Sequence, residues 1–164
     1  DQARVETNGR PRVGLVLDQA NNLGFEGVSW DHVHDRLYVV KEKRPLRLIE
    51  LEGLLKQIDH QQLDLQIREW FPRGSMSLLL RDLSSLTYHE ASGNMLLLSD
   101  ESRLVVERDA ERRPAGLLVL QQGWHGLKKD VPQAEGVAVG PQGEVFVLSE
   151  PNLFYRFERK KDPS

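Results

Sequence analysis

The chain has no cysteine. That excludes disulfides, thiol nucleophiles and cysteine-ligated zinc, and leaves the redox compartment open. It also lacks any apolar run near the ~20 residues that a membrane-spanning helix needs, so this segment is not expected to insert into a membrane. Charge of one sign is lacking too: 22 Lys and Arg stand against 25 Asp and Glu, a net charge of −3. No basic stripe of the kind that nucleic acid or an anionic bilayer selects is present. The run Arg159-Lys160-Lys161 lies in a polar tail and reads as solvated. There is no Gly-x-Ser-x-Gly elbow, phosphate-binding loop or His-Glu-x-x-His motif. Nucleophilic catalysis therefore has no sequence support, and no catalytic or organic-cofactor residue is assigned. The start, Asp1-Gln2-Ala3-Arg4, has neither an initiator Met nor a signal peptide, as in a processed or trimmed chain.

What the sequence does contain is a repeat. Three segments superimpose: Gly24-Phe25-Glu26-Gly27-Val28-Ser29-Trp30-Asp31, Asp82-Leu83-Ser84-Ser85-Leu86-Thr87-Tyr88-His89 and Gln133-Ala134-Glu135-Gly136-Val137-Ala138-Val139-Gly140. Each is followed by a polar turn, then by an apolar strand (Arg36–Val40, Met95–Leu98 and Glu144–Leu148), a second turn bearing an acid, and a third strand (Leu46–Leu51, Arg103–Asp109 and Leu153–Arg159). Equivalent positions lie 58 and 51 residues apart, close to the ~40–50 residues of a four-stranded propeller blade. Leu63–Trp70 and Gly116–Gln121 supply fourth strands for the first two copies, and Glu52–His60 has room for a short helix or a wide loop. The expected fold is all-β: about three four-stranded antiparallel β-propeller blades, half of a six-bladed propeller.

The strand count is uneven. Arg12–Leu17 reads as the outer strand of a blade whose inner strands are elsewhere, and the third copy lacks a fourth strand. The expected organisation is a tail over 1–11, a partial propeller over 12–159 with blades near 22–71, 80–123 and 131–159, and a tail over 160–164. Open sheet edges invite association. The expected partner is a second copy, whose Arg12–Leu17 would complete the last blade, or a missing N-terminal half of the propeller.

Pairing Trp30 with Leu37 sets Glu26 opposite Lys41, beside Glu42. Pairing Tyr88 with Met95 sets Ser84 opposite Ser99, beside Asp100; pairing Val139 with Val145 sets Glu135 opposite Ser149, beside Glu150. Each blade thus delivers the start of its first strand and the end of its second to one rim, around the mouth of the propeller channel. Glu26, Glu42, Asp100, Glu101, Glu135 and Glu150 are the candidate metal ligands. Hard oxygen donors without thiolates favour Ca²⁺ or Mg²⁺ over zinc, and Ca²⁺ is the expected ion. Turn acids also cap backbone N–H groups, a structural role open to Glu42, Asp100 and Glu150. His32 and His34 read as part of a solvated turn on the opposite rim, and Trp124-His125-Gly126 lies in a loop leading towards Glu135.

Asn22–Asp31, Leu37–Lys43, Leu98–Ser102, Pro132–Ala138 and Ser149–Tyr155 together resemble the SdiA-regulated (YjiK-like) family. The resemblance covers most of residues 12–159. It implies a β-propeller with roughly twice the blades seen here, facing the periplasm or otherwise associated with the cell envelope. Two functional classes follow. One is a module that binds a ligand or protein, with Ca²⁺ at the channel mouth. The alternative, by analogy with propeller lactonases, is a Ca²⁺-dependent hydrolase of lactones or esters.

Overall fold

A computed structural model describes residues 24–41, 45–55, 65–70 and 79–159. The regular elements among these are all strands: β1 (Phe25–Asp31), β2 (Arg36–Lys41), β3 (Arg47–Glu52), β4 (Gln66–Trp70), β5 (Ser85–His89), β6 (Asn94–Ser99), β7 (Leu104–Arg108), β8 (Pro114–Val119), β9 (Ala134–Val139), β10 (Val145–Ser149) and β11 (Leu153–Phe157). They form three antiparallel meanders, β1-β2-β3-β4, β5-β6-β7-β8 and β9-β10-β11. These are the blades that the repeat predicts, and they do not close into a ring. Arg12–Leu17, the start of the Leu63–Trp70 strand and most of Glu52–His60 lie outside the described residues. No helix among the described residues is long and apolar enough to cross a membrane.

The register follows the turns. Trp30 faces Leu37, Tyr88 faces Met95 and Val139 faces Val145, as expected. Alternation then sorts the side chains, because successive residues of a strand point to opposite faces. On β6, Met95 and Leu97 join Tyr38, Val40, Leu48, Leu83 and Leu86 in a core between the first two sheets. The intervening Leu96 and Leu98 join Val105, Leu120, Val137 and Val147 in a core between the second and third. The four-residue apolar run Met95–Leu98 is what a strand buried on both faces requires.

The first strands of the blades lie side by side, β1 against β5 and β5 against β9. Serines join them: Ser29 Oγ accepts from Tyr88 N–H at 2.9 Å, and Ser85 Oγ accepts from Val137 N–H at 3.3 Å. The approach is tight at Gly27, where an added Cβ would stand 2.9 Å from both Leu86 N and Val40 Cγ2. Leu86 N is backbone and cannot step aside. Gly27→Ala is therefore expected to cost about 2 kcal/mol of unfolding free energy, the usual scale of overpacking, measured by urea denaturation. A loss below a few tenths of a kcal/mol would show that the seam between β1 and β5 is loose.

Candidate functional site

The acid-bearing rim is built by the starts of β1 and β9 and by the turns after β6 and β10. At both strand starts the structure departs from simple alternation. Phe25, not Glu26, pairs with Lys41, and Gly27 pairs with Val40. Likewise Ala134, not Glu135, pairs with Ser149, and Gly136 pairs with Leu148. Glu26 and Glu135 are thus the extra residues of two matching β-bulges. The expected pairings of Glu26 with Lys41 and of Glu135 with Ser149 are corrected accordingly. A bulge re-aims the side chain of the inserted residue, and both glutamates are exposed. In the second blade the equivalent residue is Ser84. Its N–H bonds Leu98 O at 3.0 Å, and its Oγ is buried without a hydrogen-bond partner.

The turn acids act on the backbone. Asp100 Oδ1 accepts from Ala134 N–H at 2.8 Å and so ties the second blade to the start of β9. Glu150 contributes its N–H, which bonds Gln133 O at 3.0 Å, while its side chain is exposed. Glu101 N–H bonds Asp82 Oδ1 at 3.1 Å, and the same oxygen accepts from Ser99 Oγ. Asp82, read from the sequence only as a repeat position, is the buried carboxylate of this rim. Burial raises its pKa above the usual value of 3.8, and the bonds from Ser99 and Glu101 oppose that rise without cancelling it.

Glu42 lies outside the described residues. Among the described residues, no three His, Asp or Glu side chains gather closely enough to hold a metal ion. Ca²⁺ takes six to eight oxygens, and the described acids do not assemble such a set.

Three of the described histidines serve turns. His34 Nδ1 meets Asp31 Oδ2 at 2.7 Å, and His32 contacts Glu90 of the second blade through both its backbone N–H and its ring. Burial works against the charge on Asp31, but the bonds from the His34 ring and backbone outweigh it and hold the carboxyl below its ordinary value. His89 Nδ1 meets Ser92 Oγ at 2.8 Å inside the β5–β6 turn, where Ser92 also accepts from Asn94 N–H. That is a turn device rather than a nucleophile and base. His125 packs edge-on against Phe157 of β11, with ring centroids 6.3 Å apart, so its ring is engaged by the last strand of the third blade rather than by β9.

A family model described as SdiA-regulated matches residues 2–158. The chain belongs to the SdiA-regulated family. In this SdiA-regulated chain, sequence reading missed a second polar assembly. Glu50 is buried on β3 and receives Arg68 Nη1 at 3.1 Å and Arg112 Nη2, with Arg36 Nε at 3.6 Å. Arg112 also lies over the Trp70 ring, 3.2 Å from its centroid. The available signal was a Glu on the same strand face as Leu48, where alternation predicts an apolar residue.

Asp82 separates two expectations. Asp82→Ala strands the Ser99 hydroxyl and the Glu101 N–H and should cost about 2 kcal/mol. Asp82→Asn keeps an acceptor without the charge. The raised pKa makes Asp82's stabilising contribution complete below 3.8 and lost as pH rises through the folded-state value. Asp82→Asn should therefore gain on the parent protein as pH goes from acid to neutral. Thermal melts across that range check the sign, and a constant difference would refute it.

Proposed function

We propose that this SdiA-regulated chain is a binding module of the cell envelope, facing the periplasm, whose third blade is completed by a strand from a second copy. One observation carries the association: among the described residues, the third sheet has three strands where the first two have four. β11 has no further strand paired to it among the described residues. Leu148 and Phe154 on that sheet are 56% and 63% exposed, and Phe154 stacks on Phe146 with centroids 5.5 Å apart. An apolar sheet face beside an unpaired edge is what a further β-segment covers. The candidate segment is the apolar stretch Arg12–Leu17, which would make six blades from two chains.

Light scattering tests this reading. A dimer is expected, converted to monomer by Phe154→Glu with the far-ultraviolet circular dichroism retained. A folded monomer at all concentrations would sink the dimer and point to the N-terminal half of a propeller as the partner.

A ligand at the channel mouth, with Ca²⁺ on the acid-bearing rim, is the second part of the proposal. It is supported by the matched bulges that set Glu26 and Glu135 at the same level of their blades. Millimolar Ca²⁺ should raise Tm in the parent protein and less in Glu26→Gln and Glu135→Gln. An unchanged Tm removes the ion. Turnover of lactones or esters lost in the same variants would replace the binding module with an enzyme.

A further inference from the structure

A cleft of about 700 Å³ opens between the first and second sheets, remote from the acid-bearing rim. Its mouth lies by the β1–β2, β5–β6 and β7–β8 turns, and Tyr38, Trp70, Tyr88 and Met95 give it an apolar and aromatic lining. Volumes of this order hold small organic ligands. The two tyrosines pack with ring centroids 5.3 Å apart. Burial, and then the Asp31 carboxylate, push the Tyr88 pKa up to about 12, so its hydroxyl stays protonated at neutral pH.

The charges of the lining are nearly all matched. Arg36 and Arg112 share Glu50. Asp109 and Glu111 are both held by Arg113, at 2.7 and 2.8 Å, and Glu69 by Arg47 at 3.5 Å. Arg108 makes no ion pair among the described residues. Its Nε is buried without a hydrogen-bond partner, and so is Nη1 of Arg112. Burial and then the neighbouring Arg112 guanidinium lower the Arg108 pKa from its ordinary value. Two buried N–H donors on adjacent cations, each lacking an acceptor, are costly unless something fills them.

We propose that this cleft binds a small organic monoanion, a carboxylate with an apolar body, whose oxygens accept from Arg108 Nε–H and Arg112 Nη1–H while its body lies against Tyr38, Tyr88 and Met95. One unmatched cation selects one negative charge. A dianionic phosphate would leave an excess negative charge close to Glu50, Glu69 and Asp109. Guanidinium N–H groups and a carboxylate form the short, charge-assisted bonds that such a site rewards. The site does not depend on the dimer or on Ca²⁺.

The test follows the arginine Nε–H resonances of the whole chain by ¹⁵N NMR during titration with octanoate, with 1-octanol and inorganic phosphate as comparison probes. Octanoate should shift the Arg108 and Arg112 signals saturably, and octanol and phosphate should bind at least tenfold more weakly. Arg108→Met should weaken octanoate at least tenfold, the scale of one lost charge-assisted bond. Arg156→Met, paired with Glu144 on the third blade and outside the cleft, should leave it unchanged. Without ligand, Arg108→Met should melt no lower than the parent, because the buried donor has no partner to lose; a structural arginine would lower Tm. Arg108→Lys keeps the charge without the Nε–H and should fall between parent and Arg108→Met, which covers the case of a poorly folding Met variant. Unchanged octanoate affinity in Arg108→Lys or Arg108→Met overturns the proposal. So does equal binding of octanol, and tighter binding of phosphate overturns the monoanion class.

Discussion

The blades stand on strand β6, which buries both faces at once. Met95 and Leu97 close the core toward the first sheet, and Leu96 and Leu98 close the core toward the third. Each fully buried side chain of this size contributes roughly 1.5–3 kcal/mol relative to exposure. A strand that serves two cores therefore couples three sheets that share no backbone ladder. The constraint runs both ways. β6 cannot slip by one residue without exchanging its two faces, and its turns to β5 and β7 are accordingly short and hydrogen-bonded, with Gly93 N–H to His89 O and Arg103 N–H to Asp100 O both at 2.9 Å.

Around those cores the seams between blades are polar and specific. Ser29 and Ser85 cap backbone donors of the next blade, and Asp100 does the same for β9. Packing alone would let apolar sheets slide over one another; these bonds fix the height of each blade against the next. Two acids of the rim are committed to structure, Asp100 across this seam and Asp82 within the second blade. Glu26 and Glu135 are set differently: they leave the ladder through bulges, and the β-pairing runs on without them.

The strands and their pairing were legible in the sequence because alternation and short turns are local. Trp30 with Leu37 and Val139 with Val145 follow from the turn between them alone. The bulges were not legible. A bulge at Glu26 answers to Gly27 meeting the backbone of Leu86, a contact made only after two blades have docked. Glu50 was hidden in part for the same reason: Arg68 is its cross-strand neighbour in the first blade, but Arg112 reaches it from the second, 62 residues further along the chain. Periodicity marked Glu50 as misplaced in an apolar row without saying what would neutralise it. Residues whose role depends on a neighbouring blade are the ones a single chain conceals.

The same logic gives the stack a direction. On the side of the first sheet away from the second, Val39, Ile49 and Leu51 are buried, with Leu37, Leu54 and Leu65 packed against them. On the third sheet, alternation buries Val147 and leaves its neighbour Leu148 exposed, and Phe154 of β11 is exposed beside it. Both ends carry apolar rows, and among the described residues the row on the third sheet is the exposed one. Exposed apolar surface favours association roughly in proportion to its area, which is why the proposed contact is set at the third blade. The cleft between the first two sheets owes its opening to the opposite condition. There both faces are present, but guanidinium groups take the place of the side chains that would have filled the gap. Both faces of β6 thus carry a packed core with a cleft beside it, and the clefts differ in chemistry: arginine N–H groups without an acceptor line the one toward the first sheet, whereas Arg159 in the one toward the third is paired with Glu107.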